Sequence, residues 1–407
     1  MARKYFVIGS LIFLFLYTAG RAEISVSSLE KQGEDRHGRV KISRLPELVV
    51  FEKGGRKEGV SAAFGGTLED AVVVAGGCNF PDLPAADGGK KVYYDQIYVL
   101  RNPERKKVSW EIAGRLPVQG ANGASVTLPE GIVCIGGCNR DQVLNDVWLL
   151  NWDAGHSAVI VRDLPGLPVA MDNLAAATDG KNIYVAGGNI DGMPGKRCFV
   201  LKGLGAQAWC ELPVYPGPVR LQPVAAVVKQ KFYLMGGFQP VAGDRESVVA
   251  TDGLVYNPAD GKWSEAGEIM PEDGKGPRGL VGAAGLVLDD EIVVFQGGVD
   301  YAIFKAAVDN ALLQRKAAGL GLQEVAERLK QEQSMYMKHE PDWYGFNRRL
   351  LLFRPETGEW TSLGDWEEVA RAGAVMVWYK NRLVIVNGET KPGIRSADAY
   401  MLIGNMN

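Results

Sequence analysis

A carboxylate and a guanidinium six residues apart, Glu389 and Arg395, stand in the segment VNGETKPGIRSADAY (386 to 400) with Lys391, Pro392 and Gly393 between them. A carboxylate within hydrogen-bond reach of a hydroxyl can take its proton and return one elsewhere, which is general acid/base chemistry. On spacing alone the two residues read equally well as a solvated loop carboxylate and its surface ion-pair partner, the default for charged loop residues. Their place in a repeat distinguishes them.

Six apolar runs of β type end in a glycine doublet or its near copy: VVVAGG (72 to 77), IVCIGG (132 to 137), IYVAGG (183 to 188), FYLMGG (232 to 237), VVFQGG (293 to 298) and VIVNG (384 to 388). In the sixth, Asn387 replaces a glycine, and Glu389 stands where the other copies put Cys78, Cys138, Asn189, Phe238 and Val299. Successive second glycines lie 60, 51, 49, 61 and 90 residues apart, a unit of about 50, which is the kelch period. Each unit reads as a small-residue strand, the doublet run, a third strand with an aromatic, and a strand opening on Trp where Trp110, Trp209, Trp263 and Trp360 occur. The expected fold is therefore all-β, a six-bladed kelch-type β-propeller of four-stranded blades around a channel. Buried tryptophans should fill the gaps between blades, and the doublets should mark close approach or positive φ near the axis.

The sixth unit ends without a Trp strand, while RVKISRLPEL (39 to 48) resembles the fourth-strand endings EIAGRLP (111 to 117) and VRDLPGLP (161 to 168). An N-terminal strand should thus complete the last blade and remove the sheet edge. The long fifth interval holds a helical insert at about 303–340. Phe304, Val308 and Leu312, then Leu322, Val325 and Leu329, recur at helical spacing. The insert reads equally as a cap over the loop face, with Tyr336 and His339 near a substrate, or as a structural satellite.

The loops after the doublets should share one face, bringing Asn79, Asn139, Arg140, Asn189, Asp191, Gln239 and Asp300 to the end occupied by Glu389. Asn79, Arg140 and Asn189 are the candidate substrate-binding groups among them, since convergent polar groups at a concave site fix orientation. Turn formation beside glycine is the commoner role for each Asn and Asp taken singly. Arg220, Arg278 and Arg371 precede the first strands of three units and read equally as channel arginines, the first two as substrate binders, or as blade-to-blade ion pairs.

A formal charge of −3 from 45 basic and 48 acidic residues gives no field favouring nucleic acid or an anionic membrane. The start, MARKYFVIGSLIFLFLYTAGRA, reads as a secretory signal peptide over residues 1–22, followed by a polar leader at 23–38 and the propeller from 39 to 407. Its apolar run is short for a membrane span, so a periplasmic or secreted location is expected. No cysteine near the cleavage site points to a lipoprotein anchor. Cys78, Cys134, Cys138, Cys198 and Cys210 are an odd, sparse set, not a disulfide framework. With only three histidines they give no zinc pattern, and no metal or cofactor is expected.

The stretch around Glu389 closely resembles the bacterial N-acetylneuraminate epimerases, the periplasmic sialic acid mutarotases, which read I-N-G-E-x-K-P-G-x-R. Upstream, GGVDYAIF (297 to 304) and DWYGFNRRLLLFRPETGEW (342 to 360) resemble that family's G-G-V-N-x-x-I-F and F-N-K/R-x-L-L-x-F motifs. The resemblance covers about residues 216 to 407, and the earlier units are similar only as generic kelch units. In the well-known members the glutamate motif lies mid-chain, so this chain looks circularly permuted, which a closed ring tolerates. The resemblance implies an isomerase exchanging the α and β anomers of N-acetylneuraminate, with a sugar acid as its small-molecule partner. It implies Glu389 as the acid/base group and Arg395 as the second active-site group, whose planar fork suits the sugar carboxylate. Three other classes compete. A kelch module binding a protein partner finds no companion domain in the sequence, a copper radical oxidase lacks the histidines, and a sialic-acid lectin differs only in lacking catalysis.

Overall fold

The computed structural model describes residues 40–272 and 276–404, so the expected signal peptide and leader lie outside the described residues. Six four-stranded antiparallel sheets carry nearly all the regular structure. Sheet 1 comprises Phe64–Leu68, Ala71–Ala75, Gln96–Arg101 and Glu111–Arg115; sheet 2, Ala124–Leu128, Gly131–Ile135, Val147–Asp153 and Ala158–Asp163. Sheet 3 comprises Ala175–Thr178, Ile183–Ala186, Cys198–Leu201 and Cys210–Leu212; sheet 4, Val224–Val228, Lys231–Met235, Asp252–Asn257 and Lys262–Glu268. Sheet 5 comprises Ala284–Leu288, Ile292–Gln296, Leu350–Arg354 and Glu359–Leu363. Sheet 6 takes Val375–Tyr379, Arg382–Val386 and Ala399–Ile403 from the end of the chain and its outer strand, Lys41–Leu45, from the start. That strand pairs antiparallel with the last one, from Lys41 opposite Ile403 to Leu45 opposite Ala399.

The doublet runs are apolar throughout because both faces of each are covered. Alternate residues of Ala71–Ala75 point opposite ways: Val72 and Val74 pack with Val375, Val377 and Val384 of sheet 6, while Ala71 and Val73 pack with Ile132 and Trp148 of sheet 2. The same division recurs around the molecule, giving six cores that each lie between two sheets, the last pair being sheets 5 and 6. Of the four repeat tryptophans Trp110, Trp209, Trp263 and Trp360, which lie in these gaps, only Trp209 is buried. Trp110, Trp209 and Trp263 donate Nε1–H to the carbonyls of Pro46, Pro165 and Pro213, each just beyond the outer strand of the preceding sheet. The recurrent Leu-Pro endings are thus acceptors for the next sheet's indole.

Both doublet positions adopt left-handed backbone, as at Gly76 (φ 65°) and Gly77 (φ 91°), and a Cβ on Gly76 would lie 2.4 Å from the Gly120 carbonyl oxygen. Asn387 keeps that conformation (φ 57°), which Asn tolerates better than most residues. Its amide donates to the Leu48 and Ser396 carbonyls, fastening the chain's beginning to its end.

Just before each first strand lies another left-handed residue: Ala62, Asn122, Asn173, Gln222, Gly282 and Gly373. Their backbones form a closed circuit. Asn122 N–H donates to the Ala62 carbonyl (2.9 Å), Asn173 to Asn122 (2.7 Å), Gln222 to Asn173 (2.8 Å), Gly282 to Gln222 (3.4 Å), Gly373 to Gly282 (2.8 Å) and Ala62 to Gly373 (2.8 Å).

The insert begins at the doublet itself. Helix α1, Tyr301–Gly319, is capped by the Asp300 side chain, which accepts from Ile303 N–H; α2 is Gln323–Met335. Leu312 and Leu329 are buried as the spacing predicts, whereas Leu322 precedes α2 and is exposed, because it occupies the turn between the helices. Replacing Leu48, 1% exposed within the core shared by sheets 6 and 1, by Ala should cost about 2–5 kcal/mol. A chemical-denaturation midpoint equal to wild type would show that this N-terminal segment is not part of the core.

Candidate active site

The residues after Asn387-Gly388 form a small hairpin, Glu389–Lys391 against Ile394–Arg395, turning through Pro392 and left-handed Gly393. Glu389 and Arg395 are direct cross-strand partners, so six residues of sequence become one contact. Backbone bonds in both directions between Glu389 and Ala372 hold the hairpin beside Gly373 of the circuit. Arg395 Nη2 lies 2.5 Å from Glu389 Oε1, its Nε donates to Ser61 Oγ (3.0 Å), and Ser61 Oγ donates to the same Oε1 (3.4 Å). The guanidinium also lies over the Phe80 ring, 4.6 Å from its centroid. Arg395 is buried and Glu389 is 24% exposed at its side chain. Two donors thus converge on Oε1, and Oε2 has no hydrogen-bond partner among the described residues. Arg395 Nη1 is buried and also unpartnered among them.

Glu389 and Arg395 line a cavity of about 420 Å³ whose floor is the backbone circuit, all six of its residues included. A second cavity of about 440 Å³ runs between the first strands, and its lining holds no titratable side chain, so the titratable groups gather at the first. Lys91 reaches the same wall and makes no ion pair among the described residues. Phe304 of α1, with Tyr336 and Phe346 beyond α2, completes the wall, so the insert borders the cavity. Burial, then the neighbouring Tyr344 and Glu389, push the Tyr336 phenol up to about 12. Burial likewise raises the Cys78 thiol, against the pull of Lys91 and Arg395, so it is a neutral wall group near neutral pH. Glu58, 2% exposed and 3.2 Å from Arg56, is also raised by burial, with Arg56, the Phe80 backbone and Arg395 acting the other way.

Of the residues expected at the site, Glu389 and Arg395 meet in the cavity; Asn79, Arg140, Asn189, Arg220 and Arg278 do not line it. Asn79 is fully buried, donating to the Gly59 carbonyl and accepting from Tyr94. Arg140 is exposed at the rim of sheet 2. Asn189 donates to Asp172. Arg220 is inaccessible, with Nη2 2.8 Å from both oxygens of Asp252 and Nη1 3.0 Å from the Gly236 carbonyl. It answers a doublet carbonyl inside its own sheet, and Arg371 does the same for the Asn387 carbonyl. Arg278 is held by Asn347 and the Met270 carbonyl. His339 stacks on Trp343 at 3.8 Å, away from the cavity. Missed by the sequence reading were Ser61, Lys91 and the circuit side chains. Ala62, Asn122, Asn173, Gln222 and Gly373 each stand 16 residues before the residue after their doublet, and Gly282 stands 17 before it, a spacing that could have marked them.

The five cysteines are free, with Cys134 and Cys198 in sheet cores and Cys210 exposed. No group of three or more potential ligands that could hold a metal ion occurs among the described residues, and no helix there is long and apolar enough to cross a membrane.

This is a nearly all-β assembly of four-stranded sheets with an ion-paired carboxylate, Glu389, lining one of its cavities. A kelch-type propeller titled "Structure of YjhT" matches it at a TM-score of 0.58 and 16% identity, covering 89% of this chain and 97% of that one. The model of the N-acetylneuraminate epimerase family matches residues 25–160 and 164–406, and the chain belongs to that family. Among its relatives, the N-acetylneuraminate epimerase of Haemophilus influenzae (strain PittEE) is 34% identical over 238 residues, 58% of each chain. That of Pasteurella multocida (strain Pm70) is 30% identical over 233 residues, 57% of this chain and 56% of the relative. The aligned part therefore spans a little over half the length of these relatives.

A difference titration of wild type against Tyr336→Phe, followed at the tyrosinate absorbance, should show no contribution from Tyr336 below about pH 11, given its elevation to about 12. Ionisation near pH 10 would mean that the phenol is open to solvent.

Proposed function

We propose that this protein interconverts the α and β anomers of N-acetylneuraminate by opening and reclosing the sugar ring. The observation that carries this reading is the asymmetry of Glu389, with Oε1 held by Arg395 and Ser61 while Oε2 is left unpartnered on a residue that lines the cavity. Family membership and the names of the relatives support the substrate.

Opening a 2-keto sugar ring requires removing the proton of the anomeric hydroxyl and protonating the ring oxygen as the bond between it and the anomeric carbon breaks. Oε2 takes the first proton, and the carboxyl returns a proton to the ring oxygen. Rotation about the bond between the ketone and the adjoining carbon presents the other face, and the same steps in reverse close the ring. Arg395 acts chiefly by fixing Glu389 in place. The cation left open to the substrate carboxylate is Lys91, with Arg395 Nη1 behind it. The Phe304 and Phe346 side of the wall limits water around the transfer.

The architecture behind this site is inferred to be a six-bladed kelch propeller whose last blade is closed by the N-terminal strand. The backbone circuit and the pairing of Lys41–Leu45 with the last strand support it. A circularly permuted blade order is part of this reading, supported by the glutamate motif lying at 386 to 400 here where the family it resembles carries it mid-chain. Export by the N-terminal segment is part of the proposal, supported by its sequence alone and testable by fractionating cells that express the full chain.

With freshly released sialic acid, NMR should show the wild type restoring the anomeric ratio much faster than buffer. Glu389→Gln should lose at least about a hundredfold of that acceleration while keeping its melting temperature, as expected for loss of an acid/base group. Wild-type rates in the variant would remove Glu389 from the chemistry, and binding without acceleration by the wild type would make the protein a lectin. Lys91→Gln should raise KM with little change in kcat, and the increase should shrink at high salt. A KM unaffected by the substitution would remove Lys91 from carboxylate binding.

A further inference from the structure

The floor of the cavity is divided. Ala62, Gly282 and Gly373 offer no polar side chain on the half of the floor near Glu389, whereas Asn122, Asn173 and Gln222, on three consecutive sheets, carry amides. From sheets 2, 3 and 4 the remaining lining consists of Gly123, Leu174 and Pro223, so on that side the amides are the polar contacts available.

These amides are tied into a chain. Asn189 donates to Asp172 Oδ1 (2.7 Å), Asn173 donates to Asp172 Oδ2 (3.2 Å), and Gln222 Nε2 donates to Asn173 Oδ1 (3.0 Å). Asn122 donates to Cys138 Sγ (3.4 Å). The chain sets the amide orientation and leaves Gln222 Oε1 and Asn122 Oδ1 as unused acceptors, with a second N–H on each amide as an unused donor. Backbone demand alone does not account for this set. Asn is at ease in left-handed backbone, but Gln222 (φ 50°) is not, and glycine would meet the same demand with less strain, as it does at Gly282 and Gly373. Gln222 is nonetheless exposed, on the cavity floor.

We infer that Asn122, Asn173 and Gln222 form a recognition site for the polyhydroxylated tail of the sugar acid, which lies over the amide half of the floor while the anomeric carbon lies over the bare half beneath Glu389. Paired donor and acceptor sites suit vicinal hydroxyls, which also offer both. The division fixes which way round the substrate enters, with its carboxylate toward Lys91 and Arg395 and its tail toward sheets 2 to 4. Asn189 and Asp172 are positioning residues in this scheme. The inference rests on the sugar-acid reading of the cavity and adds to it a selection by tail length.

The test compares N-acetylneuraminate with the same acid after periodate trimming and reduction of its glycerol tail. The proteins are wild type, Gln222→Gly, and the triple variant with glycine at 122, 173 and 222; glycine retains the left-handed backbone, and melting temperatures check the fold. Wild type should prefer the full acid by about tenfold in kcat/KM, a few hydrogen bonds' worth. The preference should fall in Gln222→Gly and vanish in the triple variant, through KM for the full acid and not through kcat. Equal losses on both acids, or an undiminished preference in the folded triple variant, would overturn it. Dissociation constants from calorimetry separate the two proposals. Tail-dependent binding without anomer exchange by wild type would sink the catalytic reading and keep this one, while wild-type binding indifferent to the tail would sink this one alone.

Discussion

Six backbone hydrogen bonds closed on one another hold the hub of this molecule. Each joins a left-handed residue of one sheet to its counterpart in the next, so no sheet can move toward or away from the axis without breaking two of them. The six cores between the sheets rest on the same constraint, because each sheet is one wall of two cores. The doublets serve it as well, turning the chain at the axis where a neighbouring carbonyl leaves no room for a Cβ.

The site is built directly on that hub. Glu389 is bonded through its backbone to the residue preceding Gly373, and its partner Arg395 is locked by Ser61 and the Phe80 ring. A guanidinium engaged on three sides is a fixture, and its geometry determines which carboxylate oxygen remains open. Lys91, exposed and without an ion pair among the described residues, has the freedom Arg395 lacks. In the proposed mechanism the two cations divide tasks that the sequence reading gave to Arg395.

Legibility in the sequence followed the range of the interaction. The doublets, the apolar runs, the Leu-Pro endings and the N-terminal strand were all readable, because each reflects a local pattern that recurs along the chain or a missing member of such a pattern. Glu389 was readable as a departure from that pattern. The arginines misled for a physical reason. Arg220 and Arg371 lie close to the axis, but left-handed turns leave carbonyls without ladder partners there, and a buried guanidinium meets that need before it can meet a ligand. Asn79 was likewise absorbed by backbone, at the Gly59 carbonyl.

The sequence by itself determined the repeat, its strand order and the odd sixth copy, since residue type and spacing fix which segments can be apolar strands and which positions tolerate positive φ. Only the tertiary structure decided which polar groups face the cavity. Asn79, Asn122 and Asn189 look alike in sequence, yet Asn79 is consumed by a backbone carbonyl, Asn189 orients an aspartate, and Asn122 lines the floor. The difference comes from closing the ring, which brings residues some 60 positions apart, such as Ala62 and Asn122, into hydrogen-bond contact and fixes which side chains are left without a protein partner.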